Sequence, residues 1–429
     1  MAHVALLHYA APPVIGGVET VLKYQARELV RLGYQVRVIA GRGAPFDPQV
    51  VFIQEPWVDS RATDLAPVQR ALNQGQIPPN FTTWVDRVAR RLHEHLQGGD
   101  VLIAHNVVTM NKNLVLTAAL RRLVDDGLPL IAWAHDFAHL DPVYAGQWHP
   151  GYPWDLLREP WPGVPYVVIS GHRRRLVVER LGWPPERLHV IPPGVDPAEL
   201  LRLAPEVRAL VADLALWEAD LVLVTPARIT RRKNLPFALR IMEALRAFYP
   251  RPVLLITGPP GPHNPANQAY LAELLRLRED LGLTDVVHFL YQRGTAEQPF
   301  LVPEDMVAQL YLVADGLLFP SLREGFGLPI LEAGLLRVPI FASNIPPLRE
   351  TGGADIVTFD PQGDPADAAR RIASTLQALP AARLRRRVLA HYRWDRLVQE
   401  RVVPLIEAVL HRQAGSTRPN ASGIIPRGT

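Results

Sequence analysis

Short apolar runs alternate with stretches of helical spacing along nearly the whole chain. Val4-Ala5-Leu6-Leu7 reads as a first strand. Val18, Val21, Leu22, Ala26, Leu29 and Leu32 then share one helical face, and Gly33 sits where a helix is closed by a left-handed residue. Further apolar runs predict strands at "QVRVIAG" (from Gln35), "DVLIAHN" (from Asp100), "LPLIAWAHD" (from Leu128) and "PYVVISG" (from Pro165). The stretch from Ala44 to Asn80, rich in Pro and Gln, shows little period and reads mostly as loop and short elements. The pattern restarts at "DLVLVTPAR" (from Asp220), with a helix over Pro236 to Phe248. It continues through "RPVLLITG", a helix near Leu271 to Leu281, "VVHFLY", "GLLFPS" and "VPIFAS". Near-continuous apolar strands with helices between them predict an α/β fold whose parallel sheets are covered on both faces. The seam falls after "HVIPPGVDP" (His189 to Pro197), where prolines and a glycine interrupt the pattern. The expected architecture is therefore two Rossmann-like domains, 1–192 and 193–390, with parallel sheets facing a central cleft. Residues 391–412 follow as an amphipathic helix, and 413–429, rich in Gly, Ser and Pro, as a flexible tail.

A length of 429 residues supports two domains, and 48% apolar against 21% charged residues gives each one a core and excludes a disordered chain. The absence of cysteine excludes disulfides and thiolate metal sites, and fits a reducing cytoplasm. The net charge of +4 is spread out, with short arginine runs at Arg173–Arg175 and Arg385–Arg387, and no aromatic platform accompanies them, so no nucleic-acid partner is expected. Only three lysines occur, Lys23, Lys112 and Lys233, so a lysine inside "RITRRKN" marks a place where a compact ammonium is wanted over a guanidinium fork. No basic n-region opens the chain, and no run of about 18 uncharged apolar residues spans a membrane.

Three segments carry candidate chemistry at predicted strand ends. Gly16-Gly17 lies between the first strand and the first helix, where backbone amides and the helix dipole attract an anion. Arg228 and Lys233 flank the turn after "LVLVTPAR" and form a cationic clamp for a diphosphate. "SLREGFGLPILEAG" (Ser321 to Gly334) sets Glu324 before a glycine turn and Glu332 one turn into a helix, with the amides of Gly325, Phe326, Gly327 and Leu328 between them. Taken singly, each of these is also a plain turn or a solvated loop. Together, cations, carboxylates and a glycine nest suit a sugar nucleotide, whose phosphates need the first and whose hydroxyls need the second. No G-x-G-x-x-G, G-x-S-x-G or D-x-D occurs, and His93 and His95 lack carboxylates at ligand spacing, so neither a nicotinamide cofactor, a serine hydrolase nor a metal is expected.

"EGFGLPILE" is an E-x7-E motif. With "GGVE" after the first strand, "HD" at His135, "IPPGVD", "RITRRKN" and "VPIFASNIPPLRE" in order, it resembles the retaining GT-B glycosyltransferases of family 4 over roughly residues 3 to 400. The resemblance implies a hexosyl transfer, with glucose or mannose favoured, from a nucleotide diphosphate sugar. It implies donor binding by 193–390, acceptor binding by 1–192, and a helix 391–412 that crosses back to the first domain. Arg228 and Lys233 would bind the diphosphate, Glu332 the ribose, Glu324 the transferred sugar, Gly17 the diphosphate or sugar, and His135 would lie near the anomeric carbon. Pro193 stands where Asn is usual, and Arg337-Val338 where a Gly-x pair is common; neither removes an expected ligand.

For the acceptor, the aromatic stretch from His135 to Trp161 brings Asp136, Tyr144 and Trp148, and "HNVVTMNKN" brings Asn106 and Lys112. Those aromatics equally suit a loop packed on itself. The acceptor class stays open between a small molecule, a glycan and a lipid-linked hydroxyl, the last with peripheral contact at the inner membrane face. An epimerase, which needs no acceptor, a phosphorylase, which needs free phosphate, and a non-catalytic sugar-nucleotide sensor are the alternative readings.

Overall fold

A computed structural model of the chain describes residues 3–96, 101–261, 266–295, 298 and 300–416, without the side chains of 413–416. Residues 417–429 of the expected tail lie outside the described residues. The chain divides into two compact units: Met1–Asp196 together with the chain from Tyr392 on, and Pro197–His391.

The first unit holds a seven-stranded sheet in the order β3-β2-β1-β4-β5-β6-β7, every adjacent pair parallel. Its strands are β1 (His3–Ala10), β2 (Gln35–Arg42), β3 (Val50–Gln54), β4 (Val101–His105), β5 (Leu130–Ala134), β6 (Tyr166–Val168) and β7 (Leu188–Val190). The second unit holds a six-stranded parallel sheet in the order β10-β9-β8-β11-β12-β13. These strands are β8 (Leu221–Thr225), β9 (Pro252–Ile256), β10 (Val287–Phe289), β11 (Gly316–Phe319), β12 (Ile340–Ser343) and β13 (Val357–Phe359). In β4, β5, β8, β9, β11 and β12 every residue is buried, which is why each reads as an unbroken apolar run.

Strand order reverses between β1 and β4 in one sheet and between β8 and β11 in the other. At such a point the connections leave to opposite faces and open a crevice at the carboxyl ends of the strands. Gly16-Gly17 follows β1 and Asn106–Lys112 follows β4; Arg228–Lys233 follows β8 and Ser321–Glu332 follows β11. Four of the five predicted segments thus lie at the two reversal points, and the fifth, from His135, follows β5, one strand away from the first.

Within 44–80 the structure holds a regular strand, β3, and a helix Ala66–Asn73. β3 is an edge strand with Val51 60% exposed, so neither full burial nor clean alternation marks it in the sequence. From Trp394 the chain is helical to Ser416, with a π turn at Val398–Val402. Trp394, Val398, Val402, Leu405, Ile406 and Val409 are buried in the core that contains Val4, Leu6, Ile103 and Trp133 of the first sheet, and Trp394 stacks on Tyr24 at 6.0 Å between ring centres. Each such side chain contributes about 1.5–3 kcal/mol by burial, so this segment is a structural part of the first unit.

Candidate active site

In the second unit the loops after β8 and β11 are tied together. Thr225 Oγ1 donates to the Leu318 carbonyl at 2.7 Å, and the Leu322 amide donates to the Arg232 carbonyl at 2.8 Å. Between these ties Lys233 Nζ meets Glu324 Oε1 at 2.5 Å, and Arg232 donates to Glu324 Oε2 at 2.9 Å. Lys233 is only 7% exposed, with its ammonium 4.8 Å from the centre of the Phe319 ring. Burial pulls the Lys233 ammonium below its ordinary pKa against the hydrogen bond and charge of Glu324. Burial acts upward on Glu324, but the hydrogen bond from Lys233 and the charges of Lys233 and Arg232 outweigh it and hold the carboxyl low, so this acid is ionised at neutral pH.

The turn that follows depends on Gly327. Its φ of +98° is left-handed, and a Cβ there would lie 2.6 Å from Leu348 Cδ2. Gly327 precedes the helix Leu328–Leu335, whose first amides have no partner within the helix. One turn on, Glu332 is exposed, and its Oε2 accepts from the Tyr311 hydroxyl at 3.0 Å. Tyr311 is 1% exposed, and burial next to that carboxylate drives its pKa far up, so it acts as a fixed donor. Glu332 and Tyr311 line a cavity of about 560 Å³ with Arg228, Thr257, Glu304 and Leu336. Arg228 and Glu332 therefore share one cavity, while Lys233 and Glu324 form a buried pair at the same sheet edge.

In the first unit, three histidines converge at the ends of β1, β4 and β5. His8 Nδ1 donates to the His105 carbonyl at 2.9 Å, and His105 Nδ1 and His135 Nε2 share a hydrogen bond at 3.2 Å. The His105 ring stacks between Trp133 and His135, each 5.6 Å away. Burial lowers His8 to about 4 and His135 to about 3, the latter helped by the charge on His8, and it drives His105 well below its usual value. Asn106, in a left-handed conformation at φ 62°, is 5% exposed, and its Oδ1 accepts the backbone amides of His135 at 2.8 Å and Asp136 at 3.1 Å. Asn106 thus holds the His135 turn rather than presenting a free carbonyl.

The other expected groups separate. Lys112 is exposed, 5.9 Å from the Tyr9 ring centre, and Asp136 pairs with Arg173 at 3.1 Å. Tyr144 is partly buried, and Trp148 meets His139 edge-on at 4.0 Å in a hollow it shares with Trp154 and Arg158. Gly16 caps the first helix, and the Glu19 carboxylate folds against it so closely that a Cβ at position 16 would collide. Gly17 has open space around it.

The buried imidazoles make the first unit acid-sensitive. Folded His8 takes its proton near pH 4, whereas the unfolded chain takes it near 6.5, so between those values the unfolded state holds more protons and stability falls as pH falls. His135 acts in the same direction over a window reaching to about 3. The loss from His8 alone is about 3 kcal/mol at pH 4. Urea unfolding followed by tryptophan fluorescence at pH 7.5 and 5 is expected to show a clearly lower midpoint at pH 5, and His8→Asn to flatten the dependence; equal midpoints would contradict it.

Sequence reasoning missed Arg232, Tyr311, His8 and His105. Tyr311 sits in the apolar stripe of the helix Glu304–Val313 and reads as core, and His105 reads as one more strand residue. Signals existed for Arg232, in the cationic run "TRRKN", and for His105, which opens the candidate stretch "HNVVTMNKN".

The chain is similar to known glycosyltransferases. A family model described as Glycosyltransferase Family 4 matches residues 15–199, and one described as Glycosyl transferases group 1 matches residues 208–387. An MMP alpha-(1->4)-mannosyltransferase from Mycolicibacterium hassiacum is 26% identical over 382 residues, covering 82% of this chain and 83% of that protein. A D-inositol 3-phosphate glycosyltransferase from Geodermatophilus obscurus is 27% identical over 420 residues, covering 94% of this chain and 87% of that protein.

Proposed function

The chain belongs to the group 1 glycosyl transferases of family 4, enzymes of GT-B type, and from that premise we propose that it moves a hexose from a nucleotide diphosphate sugar to an acceptor hydroxyl with retention and without a metal. Glucose and mannose are the favoured sugars; the mannosyltransferase among the relatives supports the second. The observation that carries the reading is the cation and carboxylate set at the β8/β11 reversal point. There Lys233, Arg232 and Glu324 form one cluster, Arg228 and Glu332 another, and a helix N-terminus opens between the two acids.

The roles follow from charge. Arg228 and Lys233 neutralise the diphosphate as the bond from C1 to the phosphate oxygen breaks, and the free amides from Gly325 to Leu328 add fixed dipoles. The acceptor oxygen forms the new bond to C1, and its proton passes to the departing phosphate. Glu332, steadied by Tyr311, accepts from the ribose hydroxyls; Glu324 accepts from hydroxyls of the transferred sugar once Lys233 turns to phosphate. On the acceptor side, His135 is neutral and donates to the sugar, Gly17 offers its amide, and Lys112 supplies a cation for an anionic acceptor, as the inositol 3-phosphate in one relative's name suggests. No group of three or more His, Asp and Glu suited to a metal occurs among the described residues, and no described helix is long and apolar enough to cross a membrane.

Release of nucleoside diphosphate from a nucleotide sugar and acceptor is expected to continue unchanged in excess chelator, with the product anomer matching the donor by NMR. A strict need for magnesium or manganese would overturn the metal-free reading, and an inverted product the retaining one.

Glu332→Ala is expected to raise the donor KM about ten- to a hundredfold with kcat little changed, because a ribose contact is similar in ground and transition states. Tyr311→Phe, which only frees that carboxylate, should raise KM severalfold. Initial-rate kinetics distinguish these results from a kcat effect, which would move Glu332 to the reacting sugar.

A further inference from the structure

The helix Glu304–Val313 presents Glu304, Val307, Ala308 and Tyr311 to the cavity that also holds Arg228 and Glu332. These four positions are one face at i, i+3, i+4 and i+7, and at 1.5 Å per residue they run about 10 Å along the cavity wall. Tyr311 marks the end where Glu332 is held. Glu304 marks the other end, exposed, and its carboxylate forms no ion pair or side-chain hydrogen bond among the described residues. Between the two ends the lining is apolar, with Val307, Ala308, Leu335 and Leu336. A nucleoside laid with its ribose at Glu332 would put an aromatic base over this apolar stretch and its outer edge at Glu304.

We propose that Glu304 reads the base and selects guanine, so that the donor is a guanosine diphosphate sugar. This rests on the donor-site reading given above. The chemistry is a matching of donors to acceptors. An ionised carboxylate only accepts, with two oxygens side by side. Guanine presents two adjacent donors on one edge, the ring N1–H and the exocyclic N2–H, and takes both oxygens at once. Uracil offers a single N–H flanked by two carbonyl oxygens, each of which would face a carboxylate. Adenine offers an amine beside a bare ring nitrogen, so one bond forms and one lone pair opposes the second oxygen. A bidentate, charge-assisted pair favours guanine by about tenfold or more over either rival.

The test is calorimetric titration of the full chain with GDP, UDP and ADP, repeated with Glu304→Gln and Glu304→Ala. GDP is expected to bind at least about tenfold tighter than UDP and ADP. Both variants should weaken GDP about tenfold or more while leaving UDP and ADP within about twofold. A misfolded fraction lowers the binding stoichiometry but not the affinity of the sites that remain, so the dissociation constants of the three nucleotides report the folded sites alone. UDP or ADP binding the unaltered chain as tightly as GDP, or Glu304→Gln weakening all three alike, would overturn the assignment of guanine. Failure of all three nucleotides to bind the unaltered chain would instead overturn the donor site itself.

Discussion

Lys233→Ala is expected to lower kcat/KM about 100- to 1,000-fold, to weaken free nucleoside diphosphate, and to destabilise the second unit by about 2–3 kcal/mol. Two consequences of one geometry combine here. The ammonium is buried against Glu324, and in the proposed mechanism it is the partner of the leaving phosphate. Removing it also leaves Glu324, whose side chain is 8% exposed, with Arg232 as its remaining cation. Arg232 is why the stability cost lies below that of a fully orphaned buried charge. Lys233→Arg should not rescue activity, because a planar guanidinium is bulkier than the ammonium packed on Phe319. Thermal unfolding, calorimetry with nucleoside diphosphate and steady-state kinetics read the three effects separately. Full activity in Lys233→Ala would remove this residue from the chemistry.

Glu324→Gln is expected to do the opposite to ground-state binding while abolishing most turnover. The carboxylate now neutralises Lys233 and Arg232, so an incoming diphosphate competes with it for the same cations. Without that charge the cations are free, and nucleoside diphosphate should bind as tightly as before or up to about tenfold tighter. Turnover should fall about 100-fold or more, because the proposed role of this carboxylate is to position the transferred sugar and oppose the positive charge growing at its anomeric carbon. The signature is a kcat loss without a loss of nucleotide affinity. If Glu324→Gln lost nucleoside diphosphate while Glu332→Ala kept it, the roles of the two acids would be reversed.

The parts of the fold that could be read in advance are those buried on two faces. β4, β5 and β8 are unbroken apolar runs because parallel strands between helix layers meet no water, whereas β3, on an edge and half wet, gives neither run nor alternation. The candidate site was readable as loops at strand ends. What could not be read was which side chains pair. Lys233 and Glu324 lie 91 residues apart, and each reads by itself as a ligand for substrate; the pairing of β8 with β11 and the Thr225–Leu318 and Leu322–Arg232 ties bring their loops together. Asn106 shows the same limit. A polar residue at a strand end suggests a ligand contact, but its left-handed backbone turns the amide inward to hold the next loop. Tyr311 was hidden because an apolar helix face and a hydroxyl fixed on a carboxylate use the same residue type at the same spacing.

The first unit is built from both ends of the chain, with residues 197–391 lying between its parts in the sequence. During synthesis, then, the half that starts first finishes last. The sheet β1 to β7 leaves the ribosome long before Trp394, Val402 and Ile406 exist to complete its core, while everything the second unit needs has been made by His391. The nascent chain therefore carries an open apolar surface for some two hundred residues of elongation, and a stop codon near position 391 would leave that surface open for good. A fragment boundary set at 197 and 391 yields the second unit whole, whereas no single continuous fragment yields the first without it.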